Sequence, residues 1–230
     1  MFPKEKWIPH YSKSRGGLEK SEVLYIALEV GLEIPNTIIT NNKNELENFT
    51  SKFNKIITKS IRNVEVITYK NYSLDVYTKI LTLKEVQNLP EIFNYAKFQE
   101  YVEKDFEIRV FFIDDYIYSM AIFSQNDTMT KVDFRNYNIS KPNRFVPFKL
   151  PKIIEEKLLV LTRKLGLRTG SFDLIYNSHK DKYYFLEVNP VGQFGMVSYN
   201  CNEPIEEKIA DILTEINNKY ISGKRYQENC

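Results

Sequence analysis

Residues 170–190 read GSFDLIYNSHKDKYYFLEVNP, two apolar runs rich in β-branched and aromatic residues around a polar stretch from Asn177 to Lys182. That pattern predicts an antiparallel hairpin. Its second strand carries Glu187 and Asn189 inside an otherwise apolar run, then stops at Pro190 and opens into a Gly-containing loop, Val191 to Phe194. Side chains two apart share a face of a strand. The spacing therefore predicts Phe185, Glu187 and Asn189 on one face, and Tyr184, Leu186 and Val188 on the other. A turn centred near His179–Lys180 sets Asp173 about opposite Glu187. Two carboxylates so placed repel each other, and each is costly to desolvate alone. A hard divalent cation answers both costs, and oxygen ligands from carboxylate and carboxamide suit Mg²⁺. The competing reading is an exposed strand face with no ligand.

The rest of the chain reads as α+β. EKSEVLYIALEVG (19–31) sets Val23, Ile26, Ala27 and Val30 on one helical face, with Gly31 as a stop. A short strand IPNTIIT, a polar helix NKNELENFTSKF with Leu46 and Phe49 inward, and a strand NKIITKSI follow. YSLDVYTKILT (72–82) alternates like a strand. KFQEYV, FEIRVFFID and YIYSMAIFSQ are strands, the last two meeting at Asp114–Asp115, and MTKVDFRNYN is strand-like. PKIIEEKLLVLTRKLGL is an amphipathic helix between Pro151 and Gly166, and EPIEEKIADILTEINNKY is another before a polar tail. Pairing in the second half is mostly antiparallel.

Three other constellations could carry chemistry. Lys59 closes the strand NKIITK, where an ammonium can hold a phosphate as a point charge; the alternative is a strand end reaching solvent. In QEYVEKDFEIRV, Glu107 and Arg109 alternate with Phe106, Ile108 and Val110. They hold a ligand or simply pair with each other. Asp133 and Arg135, two apart, are equally open. Much else is excluded. There is no GxxxxGK[ST] and no GxGxxG. The only histidines are His10 and His179, which leaves no His-based triad or metal cluster, and Cys201 and Cys230 form neither a disulfide framework nor a zinc site. The 230 residues carry a formal charge of +2, so the total implies no nucleic-acid or membrane partner. The N-terminus lacks a signal peptide, no run approaches the roughly 18 apolar residues of a membrane span, and a cytoplasmic protein is expected.

In order, a strand-terminal lysine, a QEYV hinge, E-x-R, a carboxylate on one strand and E-x-N on the next resemble the ATP-grasp fold, in which two α+β subdomains clasp ATP. The likeness runs from about residue 19 onward. The segments GLEIPNTIITNN, FEIRVFFIDD, KVDFRNYN, GSFDLIYN and FLEVNPVGQFGMVSYNCN resemble peptide maturases of the graspetide type, the grasp-with-spasm maturases related to microviridin ligases. Those enzymes phosphorylate a side-chain carboxylate of a ribosomal precursor peptide. A hydroxyl or amine of the same peptide then attacks to give an ester or amide crosslink.

That resemblance implies ATP and Mg²⁺, expected as two ions, as cofactors. It implies the leader and core of a precursor peptide as partner, with a homodimer as one arrangement open to the chain. By the same likeness Lys59 contacts the α/β-phosphates, and Glu100, Tyr101 and Val102 form the hinge against adenine. Glu107 lies close to the nucleotide and Arg109 close to the phosphates. Asp173, Glu187 and Asn189 hold Mg²⁺, while Asp133 and Arg135 face the reacting groups, with Asp133 the candidate base. Residues 1–18 then form a tail or the remnant of a preceding domain. Residues 19–102 form the small subdomain up to the hinge, 103–220 the catalytic subdomain, and 221–230 a polar tail. The family's usual N-terminal domain is expected to be lacking, and KSIRNVEVITYKNYS supplies no glycine for a phosphate flap. Three functions stay open: a peptide-crosslinking ligase, an ATP-grasp ligase that adds an amino acid to a peptide, and a non-catalytic protein that binds nucleotide or peptide.

Overall fold

Two antiparallel sheets divide the chain between Glu100 and Phe106 in a computed structural model that describes residues 7–8, 18–59, 61, 67–69, 72–74, 78–136 and 138–228. The first sheet has the order β1 (Thr37–Asn42), β6 (Ile92–Glu100), β2 (Lys55–Lys59), β5 (Lys79–Thr82). The second has the order β11 (Lys182–Asn189), β10 (Thr169–Asn177), β7 (Phe106–Ile113), β8 (Tyr116–Phe123), β9 (Arg144–Pro147). Every strand pair in both sheets is antiparallel. A two-stranded piece, β3 (Ile67–Tyr69) with β4 (Tyr72–Leu74), stands apart from them.

Each sheet keeps one face for a core and one for the cleft between them. Helices α2 (Lys43–Phe53) and α3 (Leu83–Gln87) belong to the first unit. Leu46 of α2 and Val86 of α3 bury Ile56, Leu81 and Phe98 beneath them. Strand alternation then turns the neighbours of Ile56 and Phe98 the other way. The second sheet is covered on one face by α1 (Lys20–Glu29) and α4 (Lys152–Leu165). Val23, Leu24 and Ala27 of α1 and Leu158, Leu161 and Leu165 of α4 pack on Ile108, Val110, Phe112, Phe172, Leu174 and Phe185. α4 ends on Gly166 in the left-handed region (φ 64°), as its sequence punctuation predicts.

The opposite face is covered only in part. Val197 of α5 (Gly195–Cys201) and Ile205 and Ile212 of α6 (Ile205–Glu228) seal Phe111, Ile113, Met120 and Ile122. Ile8, from the N-terminal stretch, packs on the same cluster. These helices lie over β7 and β8, so the β10–β11 side of this face stays open to the cleft.

The structure departs from the sequence reading in five places. Residues 129–136 of MTKVDFRNYN are a run of turns and bends, with Tyr137 outside the described residues, because side-chain carboxylates capture the backbone: Asp127 accepts from the Met129 N–H at 2.8 Å and Asp133 from the Arg135 N–H at 3.1 Å. The stretch 72–82 is not one strand, although part of it lies outside the described residues. α3 was not anticipated; it is opened by a capping box between Thr82 and Glu85. After Pro190 the chain is more helical than read, closing quickly into α5 and running on in α6, through residues read as a polar tail, to Glu228.

The fifth departure concerns the last hairpin. Asp173 does pair with Glu187, but a bulge then sets Leu174 against Phe185 and leaves Leu186 as the extra residue. The bulge resets the alternation. Phe185 and Val188 face the apolar core, while Tyr184 and Leu186 join the patch around Ile175. Phe185 is therefore not on the face of Glu187.

Gly170 lets this hairpin close, since a Cβ there would lie 2.8 Å from the Asn189 carbonyl oxygen and 2.9 Å from the Phe112 ring. Neither neighbour can yield cheaply. Gly170→Ala is expected to cost about 1–3 kcal/mol of stability, seen as a lowered denaturant midpoint with unchanged m-value. An unchanged midpoint would show that β11 does not approach Gly170 this closely.

Candidate active site

Register aligns three strands into one charged row. Arg109 on β7 pairs with Asp173 on β10, which pairs with Glu187 on β11. The Arg109 guanidinium donates from Nη1 to both Asp173 oxygens, at 2.8 and 3.0 Å, and from Nη2 to the Gly192 carbonyl at 3.2 Å. Glu187 meets the Lys20 ammonium at 3.2 Å. The next row along sets Ser171 beside Asn189, and the Ser171 hydroxyl also donates to the Gly192 carbonyl. Gly192 itself needs φ +89° and has the Phe111 ring 3.0 Å from where a Cβ would stand, so the loop after Pro190 is pinned down on Arg109.

The facing sheet presents two lysines. Lys59 and Lys97 are cross-strand partners on β2 and β6. Lys97 is only 2% exposed. Burial, the Lys59 charge and the Lys20 charge bring its ammonium down to about 7. Burial also lowers Lys59, against the pull of Glu187. Burial by itself would raise Glu187, but Lys59 and Lys20 outweigh it and hold the carboxylate below its ordinary value. Asp173 goes the other way, raised by burial and by Glu187 against the opposing charge of Arg109. Lys20, Lys59, Lys97, Arg109 and Arg135 thus surround Asp173 and Glu187.

The hinge residues follow β6 directly. The buried Glu100 side chain accepts from Asn36 at 2.7 Å, and the Tyr101 N–H donates to the Lys55 carbonyl at 3.1 Å. Val102 packs with Ile175 and Tyr184 into a small apolar patch with Leu186 alongside. Glu107 is buried and accepts from Lys104 at 2.6 Å and from Ser124 at 2.9 Å. Burial raises its carboxyl despite the Lys104 charge.

Asp133 is a clamp by geometry. It accepts from Arg135 Nε at 2.8 Å and Nη2 at 2.6 Å, and from the Thr78 hydroxyl at 3.1 Å. Burial alone would raise its carboxyl, yet the Arg135 hydrogen bonds and charge bring it down to about 2. So weak a base is ill suited to take a proton near neutral pH, and the geometry favours a positioning role for Asp133.

Several participants were not foreseen. Lys97 alternates with Phe98, which is buried in the core of the first unit, so strand periodicity could have placed it on the cleft face. Lys104 lay in a stretch read as a polar bend. Lys20 and Thr78 arrive from distant elements and leave no local signal.

The oxygen donors suit a hard cation in kind. Asp173 and Glu187 adjoin each other with side chains 19% and 28% exposed, and Asn189 stands at the same strand end. The Asn189 carboxamide oxygen accepts from the Val191 N–H at 3.0 Å, which orients it. Among the described residues no group of three or more His, Cys, Asp or Glu could hold a metal; the expected set has only two carboxylates, with a carboxamide as its third member. Arg109 Nε and Gln99 Oε1, one from each facing sheet, are buried without a partner among those residues. Buried orphans of this kind point to a missing polar ligand.

No family model matches the sequence, and no curated protein matches it. Solved structures do. The macrocyclase MdnC from Microcystis aeruginosa MRC, bound with its precursor peptide MdnA, superposes with a TM-score of 0.76 at 31% identity over 90% of this chain and 65% of that one. A RiPP-associated ATP-grasp ligase from Chryseobacterium gregarium, in complex with ADP and a leader and core peptide, gives 0.76 at 28% identity over 85% and 59%. The ATP-grasp ligase PsnB, complexed with a precursor variant, Mg and ADP, gives 0.67 at 18% identity over 89% and 61%. The chain thus spans less than two thirds of the length of each. It has the ATP-grasp fold, and its structural neighbours are RiPP macrocyclases and ATP-grasp ligases.

The lowered Lys97 ammonium has a measurable consequence. An anion bound against it raises its pKa again, so binding above about pH 7 takes up a proton and weakens as pH rises. Calorimetry of ADP binding at pH 8, in buffers of different ionisation enthalpy, is expected to show that uptake in the wild type and its loss in Lys97→Met. Equal uptake in both proteins would remove Lys97 from the site. Without ligand the sign is also fixed: the unfolded chain keeps the proton that folded Lys97 loses, so Lys97 makes stability rise with pH above about 7.

Proposed function

We propose that this ATP-grasp chain carries the nucleotide-binding and catalytic part of a ligase that crosslinks a ribosomal precursor peptide through a side-chain carboxylate. The reading rests on one observation above others: the row Arg109–Asp173–Glu187 faces the Lys59–Lys97 pair, in a chain whose neighbours of 31% and 28% identity were solved with precursor, leader and core peptides. In this reading the small lobe lies within residues 19–102 and the catalytic lobe is 103–220, with α1 packed on the catalytic lobe. The substrate partner is the leader and core of the peptide, in the cytoplasm. No helix among the described residues is long and apolar enough to cross a membrane.

A carboxylate acylates poorly because its leaving group would be oxide. Attack of the peptide carboxylate on the γ-phosphorus expels ADP and leaves an acyl phosphate. A hydroxyl or amine of the same peptide then attacks the acyl carbon and expels phosphate, which carries away the proton. The net change in the peptide is loss of one water per crosslink. Such transfer depends on positioning and charge neutralisation more than on covalent help.

The residues divide that work. Lys59 and Lys97 hold the phosphates as point charges from the small lobe. Tyr101 and Val102 offer backbone to the adenine, beside the apolar patch of Val102, Ile175 and Tyr184, while Glu100 fixes the hinge through Asn36. Glu107 borders the nucleotide, oriented by Lys104. Arg109 and Arg135 offset negative charge where the γ-phosphoryl group moves. Asp133 positions Arg135. Asp173, Glu187 and Asn189 would hold Mg²⁺, with two ions the expected number, and bound Mg²⁺ supplies neutralisation of the transferring phosphoryl oxygens.

Glu187→Gln and Asn189→Ala are each expected to lower ADP formation at least about 100-fold while the fold survives. Near-normal turnover in either would overturn the ligand assignment. Incubation with a candidate precursor, ATP and Mg²⁺ is expected to remove water from the peptide in step with ADP release. ADP release with free amino acids and no dehydrated peptide would instead identify an amino-acid-adding ligase. Nucleotide binding without ADP would identify a non-catalytic binder.

A further inference from the structure

The turn segment 127–136 belongs to the catalytic lobe, yet it is hydrogen-bonded to the small one. Asp133, 8% exposed, accepts from the Thr78 hydroxyl at 3.1 Å and its N–H at 3.4 Å. Thr78 precedes β5, the edge strand of the first sheet. Lys79 of that strand pairs with Thr58, which sets Thr78 beside the Lys59 end of β2. The same carboxylate holds Arg135 through its Nε, Nη2 and backbone N–H. The Arg135 side chain is 56% exposed. Packing therefore does not fix where its guanidinium points, and the tether to Asp133 does. Its charge is felt at both Asp173 and Glu187. The far side of the segment is anchored separately, by Lys104 Nζ donating to the Val132 carbonyl at 3.1 Å.

We propose that Thr78 and Asp133 form a latch across the cleft, a pair of positioning residues that hold Arg135 against the γ-phosphate site only when the two lobes are closed on each other. The inference rests on the nucleotide-site reading above. The lobes are closed in this structure, which brings Thr78 to Asp133, and a ligand held by Lys59 favours that closure. Asp133, loaded from both sides, then keeps Arg135 in one rotamer. When the lobes part, Asp133 loses its small-lobe donors and Arg135 swings with its exposed loop. Arg135 thereby becomes a report on closure, delivered to the phosphates from the opposite lobe.

The test uses ADP and AMPPNP as probes, because Arg135 placed at the γ-position discriminates between them. Arg135→Ala is expected to weaken AMPPNP while leaving ADP unchanged. Thr78→Val, which keeps the shape and removes the hydroxyl, is expected to weaken AMPPNP alone, about 3- to 10-fold as for a typical lost hydrogen bond. Thr78→Ser is expected to restore it, and Thr78→Val is expected to add nothing in the Arg135→Ala background. Equal weakening of both nucleotides, or full additivity in the double variant, would overturn the latch. Amide exchange of residues 131–136 in the ligand-free protein gives the second readout. Faster exchange in Thr78→Val but not in Thr78→Ser, at unchanged Tm, supports the latch, and identical exchange in all three overturns it. If neither nucleotide binds the wild type, the nucleotide reading is what fails, and exchange alone decides whether Thr78 holds the segment.

Discussion

The bidentate pair between Arg109 and Asp173 is the interaction on which the site depends. Asp173 sits within a sheet, where an isolated carboxylate would be neutralised or expelled. Arg109, one strand over and in register, keeps it in place. Glu187, one strand further, puts a second carboxylate beside it, which the Lys20 and Lys59 charges answer. A one-residue slip of β10 would turn Phe172 to the cleft and Asp173 into the core of Phe112, Phe185 and Leu158. Burial of that apolar face therefore enforces the charged row on the other. Gly170 and Gly192 allow the backbone to come close enough for both.

The helices decide where the row can act. α5 and α6 cover β7 and β8 on the cleft face, while α1 and α4 cover the whole of the far face. What remains open is the β10–β11 side, opposite Lys59 and Lys97. Cations from both sheets converge there on two carboxylates, an arrangement that is under-neutralised without an anionic ligand. The Lys97 ammonium, lowered first by burial and then by the Lys59 and Lys20 charges, and the orphaned Arg109 Nε both lack an anionic partner there. A magnesium–polyphosphate ligand held between the lobes would relieve both.

Much of this was legible in the sequence because it is local. The hairpin turn at Ser178–Asp181 brings Asp173 within one residue of Glu187 by counting, and the bulge completes their pairing. Gly166 and Pro151 marked the ends of α4 for the same reason. The bulge at Leu186 was not legible. A strand pattern assumes period two, and nothing in YYFLEV announces the extra residue that turns Phe185 inward. MTKVDFRNYN alternates like a strand, but Asp127 and Asp133 compete for its backbone, a local preference that period counting ignores. Lys20, Thr78 and Lys104 reach the site from elements whose arrangement only the folded chain sets. Asp133 was noticed without its clamp on Arg135, because sequence shows a carboxylate near an arginine but not that the arginine holds it at both oxygens.

The most direct test of the central claim is a crystal structure of the protein with AMPPNP and Mn²⁺, read through the anomalous signal of the metal. The account predicts a manganese peak between the two sheets, ligated by Asp173, Glu187 and Asn189, with the triphosphate against Lys59 and Lys97 and the adenine beside Val102. A peak away from that row, or a nucleotide bound outside the cleft, would contradict it.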